Sequence, residues 1–543
     1  MFGSPTRQVS KVTTRPAPIR GLNSFDSIVG MPDGFALVLR NLYAQPYGCQ
    51  VRKGFRRHVT GLSGNVESVC SHNISAPRLY AFSGVTSNND VSMYDVTEPG
   101  QSAVTKLTGL VNARWQHINF PNAAGVHMVA VNGANNMIWV QPNSVVVTVP
   151  LGDGSGNTIS GVDPKKLVHV YAHQKRIWFV EKDSSRGWYL PPDQIVGAAK
   201  LFDFGGVWTR GGALSQIITW TIDDGNGADD HLMAISTQGE ISVYAGLDVE
   251  GADSWALQGV YFAGAPIGRR AAVRKGGDVL IMTQFGGVYM SDLLKSTKVN
   301  PTQDNDFKYI QNLLAVAIRL TGGGFGWQPF VFPGGNMTLI NFPATESTSL
   351  QFAMNDITKA WSQFDGYNSY CWELHNQLAF YGSFGAVYRA WEGTTDDSFL
   401  DPVTGVITPG DDITWEAQTS FTYFEMLGVQ KHYKMVRPTI ISRGAFSINF
   451  SVNTDFIFDS PLTPASFAVK SIANWVKNAH PKPFLPHEGV WNLSTWEGGL
   501  STYKSWQAVT GIGTAASIRM VGRSAQETYW ATTDWVYEPG GIM

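Results

Sequence analysis

The chain has 543 residues and a net charge of −3, with only 15% charged residues, 57 glycines and 12% aromatics. That mix is too apolar for disorder, which needs low hydrophobicity and high net charge, and too glycine-rich and charge-poor for a coiled coil or helical solenoid. Three cysteines without a C-x-x-C spacing (Cys49, Cys70, Cys371) exclude a disulfide framework and a zinc knuckle and point to a reducing folding compartment, and no run of 18 apolar residues exists to cross a membrane as a helix.

In chain order, residues 1–20 carry Arg7, Lys11, Arg15 and Arg20 with no acid and no apolar signal-peptide core. They read either as a frayed basic tail or as an arm docking on a neighbouring subunit. From there, period-2 alternation dominates. Residues 79–82 and 91–94 are apolar runs separated by a polar loop. Residues 128–131 lead through Asn132-Gly133, a hairpin signal, to residues 137–140. Equivalent pairs are 176–180 with 188–190, 231–235 with 241–244, 279–282 with 288–290, and 378–381 with 387–389 across Gly385.

The second strand of each pair carries an aromatic at or near its end: Tyr94, Trp139, Tyr189, Tyr244, Tyr289 and Tyr388. The long last gap leaves room for one more unit near residues 350–361. A period of roughly 40–50 residues with several short strands per unit is the signature of a β-propeller, because one blade buries both its faces only when stacked between two others. The predicted fold is all-β: a β-propeller of about six to seven blades over residues 61–395, an extended N-terminal arm with first strands over 1–60 that packs on the propeller or a neighbouring subunit, a linker at 396–410, and a C-terminal β-sandwich-like domain at 411–543. A tandem of two-sheet sandwiches is the competing architecture. In the C-terminal domain residues 446–452 alternate cleanly, as does a face of Tyr529, Ala531, Thr533, Trp535 and Tyr537. The proline-rich stretch 481–486 reads as a loop.

Charge is segregated along the chain. Between Arg210 and Arg269 there are eight acids and no base, and between Arg389 and Lys431 eight more. Bases cluster at Arg52, Lys53, Arg56 and Arg57, at Lys165-Lys166, and at Arg269-Arg270 with Arg274-Lys275.

Catalytic signals are weak. There is no H-E-x-x-H, G-x-S-x-G or P-loop pattern. The glycine-rich segment 152–156 reads as a hairpin loop. The 223–230 loop is acidic but misses the EF-hand spacing. His169 and His173 on one strand face would lie roughly 13 Å apart, too far to share a metal. A sialidase-type aspartate box is only half present, once, at residues 355–361, and WD-repeat dipeptides are absent. No catalytic residue, metal site or cofactor is expected.

Three collinear segments carry a family resemblance. Gly21-Leu22-Asn23, then residues 31–43 (MPDGFALVLRNLY), then Pro46 to Phe55 with Val51-Arg52-Lys53-Gly54, resemble the opening of tail nozzle proteins of short-tailed bacteriophages, the tail tubular B class. Residues 530–541 (WATTDWVYEPGG) resemble the family's closing strand, and residues 431–438 (KHYKMVRP) the opening of its C-terminal domain. The resemblance implies a structural virion protein, not an enzyme. Six copies form a ring below the adaptor, continue the DNA channel, and help retain and then release the genome. The implied partners are five further copies of the chain, the adaptor ring proteins, tail fibres or spikes, duplex DNA passing without sequence-specific binding, and a host surface. The implied location is the virion, assembled in the bacterial cytoplasm. On this reading Asp223, Asp224, Asp229, Asp230, Asp396 and Asp397 are candidates to face the channel, where negative charge repels phosphate. Arg52, Lys53, Arg56 and Arg57 are candidates for subunit docking; the alternative is that Gly54 makes a turn and the bases are solvated. A propeller-type receptor-binding or glycan-binding adhesin and a tail-associated glycan hydrolase are the competing functions.

Overall fold

The computed structural model describes residues 9–85, 90–100, 102–223, 228–246, 248–251, 255–295, 306–402, 404–458, 461–465, 467, 473–475, 496–498 and 500–542. It is almost entirely β-sheet; the described α-helices are Met290–Lys295 and Gln311–Thr321, which the alternating pattern did not announce. Successive hairpins build small antiparallel sheets. One holds four strands, from Gln116–Asn122 to Val146–Val149. The next runs from Leu167–His173 to Lys200–Asp203, and another from Leu214–Asp223 to Trp255–Phe262. Three-stranded Ala272–Lys275 to Gly286–Tyr289 follows, and then Gln328–Phe332 to Trp361–Phe364. Strands inside these sheets are covered on both faces; Arg176–Glu181 is buried at every position, as stacking between two neighbouring sheets requires.

The first strand of each sheet touches the first strand of the next, and the series returns to its start. Phe55–His72 touches Gln116–Asn122, then follow Leu167–His173, Leu214–Asp223, Ala272–Lys275, Gln328–Phe332 and Cys371–His375, and the last touches Phe55–His72 again. Apolar clusters fill the spaces between adjacent sheets. Phe82 stacks on Trp115 at 4.9 Å in one, and Trp178, Tyr244 and Trp255 pack together in another. Side chains lace the first strands. His169 Nε2 donates to the Ile217 carbonyl (2.9 Å), His173 Nδ1 meets Thr219 Oγ1 (2.9 Å), Ser71 Oγ meets His375 Nδ1 (2.8 Å), and Gln328 Nε2 donates to the Trp372 carbonyl (2.8 Å).

Several expectations are corrected. The predicted hairpin at Gly385 is one continuous strand, Leu378–Ala390. Its first part pairs with Cys371–His375 and its second with Phe55–His72, the register slipping around Gly385, whose φ is +66°. The two ends of the repeated sequence therefore lie in one sheet. The predicted 396–410 linker contributes short strands instead: Thr395–Asp396 pairs with Asp411–Thr419, and Ser398–Leu400 runs parallel to Phe55–His72. The described residues 9–60 contribute strands to the sheets of the rest of the chain. Lys11–Pro16 and Gly48–Val51 both pair with the C-terminal strand Thr528–Ile542, in a seven-stranded sheet. Ala36–Arg40 lies between Trp361–Phe364 and Asp411–Thr419 in a ten-stranded sheet. The two chain ends thus build one body on sheets that continue into the repeated part.

The predicted continuous face of Tyr529 to Tyr537 breaks in the middle. Trp530 is buried on one phase, and Thr533, Trp535 and Tyr537 on the other. The register against Val429–Ser442 shifts between Thr439 and Ile440, leaving Ala531 without an opposite residue. One inserted residue flips every following side chain, and this brings both tryptophans into the core. The 481–486 stretch lies outside the described residues.

Candidate functional site

The seven first strands converge on a cavity of about 200 Å³. Each contributes a lining residue: Val69, His117, His169, Gln216, Val273, Gln328 and Glu373. They come together because the seven strands that carry them touch one another in series.

The polar groups of the cavity are unequally satisfied. His117 Nε2 lies 3.5 Å from Glu373 Oε1. Burial disfavours the imidazolium, but Cys70 and Glu373 beside it hold its pKa well above the ordinary histidine value, so His117 carries a proton. Burial pushes His169 the other way, down to about 4, against a weaker opposing pull from the Ile217 carbonyl. His169 is therefore neutral at pH 7 with its proton on Nε2, and the buried Nδ1 acceptor has no partner. Gln216 is 3% exposed; its amide N–H donates to the Arg269 carbonyl, and its Oε1 has no partner. Arg270 donates through Nη2 to Ser68 Oγ (2.7 Å) and to the Trp115 carbonyl (3.0 Å), both neutral. Among the described residues no carboxylate pairs with it. Cys371 also lines the cavity, and burial pushes its thiol up to about 12, which leaves it a poor nucleophile.

An open groove of about 630 Å³ adjoins this region, lined by Glu67, Arg114, Phe325, Glu346 and Tyr370 among others. Phe325 belongs to the run Gly322-Gly323-Gly324-Phe325-Gly326. Its ring lies 4.3 Å from Arg114 Cζ and 5.2 Å from Arg270 Cζ, so it touches both the groove and the cavity wall. Arg114 is held by a two-pronged pair with Glu67, both contacts 3.1 Å.

The residues singled out from sequence lie elsewhere. Arg52, a predicted docking base, and Asp396, a predicted channel-facing acid, pair with each other inside the chain. Arg52 is 2% exposed, so it is neither solvated nor free to dock. Arg56 pairs with Glu392 and Arg57 with Asp397, while Lys53 is exposed. Gly54 makes no left-handed turn; a side chain there would strike the Thr395 backbone. Asp229 and Asp230 are exposed near the turn end of the hairpin of Leu214–Asp223 and Ala228–Ser236, with Thr221 Oγ1 donating to Asp230 (2.6 Å) and Arg274 4.0 Å away. Asp223 ends the strand Leu214–Asp223, and Asp224 lies outside the described residues.

The acid-only stretches are acidic along the chain but not in space. Arg176 reaches Asp248 and Glu250, Lys200 reaches Glu250, and Arg519 and Arg40 both reach Glu416. The bases outside the stretches neutralise much of them. The aspartate-box remnant is a turn, with Asn355 Oδ1 accepting from the Ile357 amide and Asp356 paired with Lys275. Loop 152–156 is closed by a parallel bridge between Leu151 and Ile159 rather than by a hairpin. Among the described residues no group of three metal-ligating side chains exists.

The cavity residues His117, Gln216, Gln328 and Glu373 were not singled out from sequence. The available signal was a polar residue just after an apolar or aromatic one at a strand start, as in Trp115-Gln116-His117 and Trp327-Gln328.

No protein family matches the chain, and no curated relative does. Among solved structures it is similar to PorZ, a bacterial surface component of the type-IX secretion system of Porphyromonas gingivalis, at 12% identity over 72% of this chain and 52% of that one, TM-score 0.37. It is also similar to a putative 6-phosphogluconolactonase from Bacteroides fragilis, at 12% identity over 61% of this chain and 93% of that one, TM-score 0.36. A third similarity is to YCF48 bound to a D1 peptide, at 12% identity over 66% of this chain and 98% of that one, TM-score 0.25. The chain spans about half the length of PorZ.

Proposed function

We propose that this chain is a structural component of a short phage tail, the nozzle subunit, with its repeated part forming a seven-bladed propeller. The observation that carries this reading is where the family-like segments lie. Residues 31–43 and 46–55, near one end of the sequence, and 431–438 and 530–541, near the other, share the two sheets built from the chain ends. Segments that resemble one family in collinear order also make one body. The cyclic series of first-strand contacts supports the propeller reading, with Leu378–Ala390 closing the last blade onto the first.

The reading sets a condition on assembly. The cavity between the first strands, about 200 Å³, is far too small to hold a length of duplex DNA. Duplex DNA therefore passes between copies of the chain and not along the axis of one, so the conduit requires an oligomer. Six copies in contact with the adaptor ring, with tail fibres or spikes outside them and the host surface below, are the proposed arrangement.

A cryo-EM map of the particle that carries this chain tests the proposal. The expected result is six copies around a bore below the adaptor, with the chain-end body at the subunit contacts. A particle lacking the chain, or one with the chain as a peripheral monomer away from the DNA path, overturns it.

A further inference from the structure

We propose that the open groove of about 630 Å³ binds a short neutral oligosaccharide. This does not depend on the nozzle reading. The volume lies in the range of ordinary ligand sites, roughly 300–1,000 Å³, and the lining selects the ligand. Two half-buried rings, Phe325 and Tyr370, line the groove. The face of an aromatic ring carries partial negative charge, and the C–H face of a pyranose, polarised by its oxygens, complements it. Gly323 and Gly324 precede Phe325, and nothing crowds Gly323, so on this wall no side chain keeps a flat sugar ring from the backbone.

Hydrogen-bonding groups of both senses surround the rings. Among the described residues the side-chain amides of Asn65 and Asn368 and the hydroxyl of Ser347 have no partner within the chain. An amide and a hydroxyl each offer a donor and an acceptor, as every sugar hydroxyl does. These groups stand on fixed backbone, which lowers the ordering cost of binding. Asn65 lies in the strand Phe55–His72. Thr345 Oγ1 accepts from the amides of Ser347 (3.3 Å) and Thr348 (3.1 Å), and the Tyr370 hydroxyl donates to the Glu346 carbonyl (3.1 Å), so this loop and the Tyr370 ring hold each other in place. Charge then excludes acidic ligands. Glu67 answers Arg114 in the two-pronged pair, whereas Glu346 is exposed and, among the described residues, pairs with no base. The unanswered charge on the wall is negative, and it repels a carboxylate or phosphate.

Saturation-transfer difference NMR of the full chain with maltotriose, chitotriose and lactose tests the proposal, with trigalacturonate as the acidic comparator. The expected result is saturable binding of at least one neutral sugar with Kd of about 5 mM or below, the transfer strongest at the C–H protons of one ring face, and trigalacturonate at least about tenfold weaker. Tyr370→Ala is expected to weaken binding by about tenfold or more, and Tyr370→Phe to keep most of it, because the ring remains. Asn368→Ala removes an exposed side chain that bonds nothing in the chain, so it leaves the fold intact and is expected to weaken binding by about threefold or more. Binding of none of the three neutral sugars, binding of trigalacturonate as tightly as theirs, or parental binding in both Tyr370→Ala and Asn368→Ala overturns the proposal.

Discussion

Arg52 and Asp396 stand 344 positions apart and meet in a two-pronged ion pair, Nη1–Oδ1 at 2.7 Å and Nη2–Oδ2 at 2.6 Å. The remaining donors of Arg52 reach Asn41 Oδ1 (2.9 Å) and the carbonyls of Lys53 (3.0 Å) and Asp365 (2.6 Å), and its plane lies 4.4 Å from the Tyr367 ring centroid. One buried side chain thus ties an early loop, the end of the repeated part and the start of the C-terminal strands.

Removing either partner leaves a charge without compensation. Arg52→Gln is expected to cost about 3–5 kcal/mol, as for other broken buried pairs. Arg52→Lys is expected to rescue little, since an ammonium cannot fill five planar donor positions. Urea denaturation midpoints of both variants and of Asp396→Asn check this. A loss below about 1 kcal/mol in Arg52→Gln would show that the node adds little.

Gly54 occupies a place that only a missing side chain permits. A methyl group there runs into the Thr395 backbone, which cannot rotate aside. Gly54→Ala is expected to lower stability by at least about 2 kcal/mol, by the overpacking mechanism, whereas Gly428→Ala, where nothing lies within reach, is expected to show only the milder strain of its positive φ. Thermal unfolding of the two variants side by side makes the comparison.

Lys431 is wholly buried and donates to three carbonyls, of Met426 (2.8 Å), Val429 (2.9 Å) and Thr514 (2.7 Å). It pins the turn before Val429–Ser442 to the strand pair that follows. Lys431→Met keeps much of the volume but orphans the three acceptors, and the expected loss is about 3 kcal/mol or more. Hydrogen exchange at residues 426–431 and 513–516 is expected to rise with it; unchanged protection there would mean the ammonium holds nothing.

Burial lowers the pKa of His58, His169 and His173 to about 4 each, against 6.5 for an ordinary histidine. The unfolded chain then binds more protons than the folded one between those values, so stability rises with pH across that window. It is complete above about 6.5 and is lost as the pH falls toward 4, on the order of a few kcal/mol per group. His117 has the opposite sign: its contribution is present below 6.5 and is lost as pH rises through its elevated folded value. Denaturation between pH 4 and 7 is expected to show a positive slope that becomes shallower in His173→Gln. An identical slope in that variant would remove His173 from the account.

Local pattern determined the hairpins. Met128–Val131 with Met137–Val140 and His231–Ile235 with Ile241–Tyr244 pair as their alternation predicts, because short-range turns and a two-residue period need no distant information. The all-β class and the repeat spacing were legible for the same reason. The tertiary structure alone decided what meets across the chain. It threaded residues 11–51 into the C-terminal sheets and ran Leu378–Ala390 straight through Gly385. It placed the extra residue at Ala531, set Arg52 on Asp396, and gathered His117, His169, Gln216 and Glu373 around one cavity. Those outcomes depend on pairings hundreds of residues apart and on which face a one-residue slip exposes. Charge and hydrophobicity read along a line do not encode such closures; the competition among whole packings selects them.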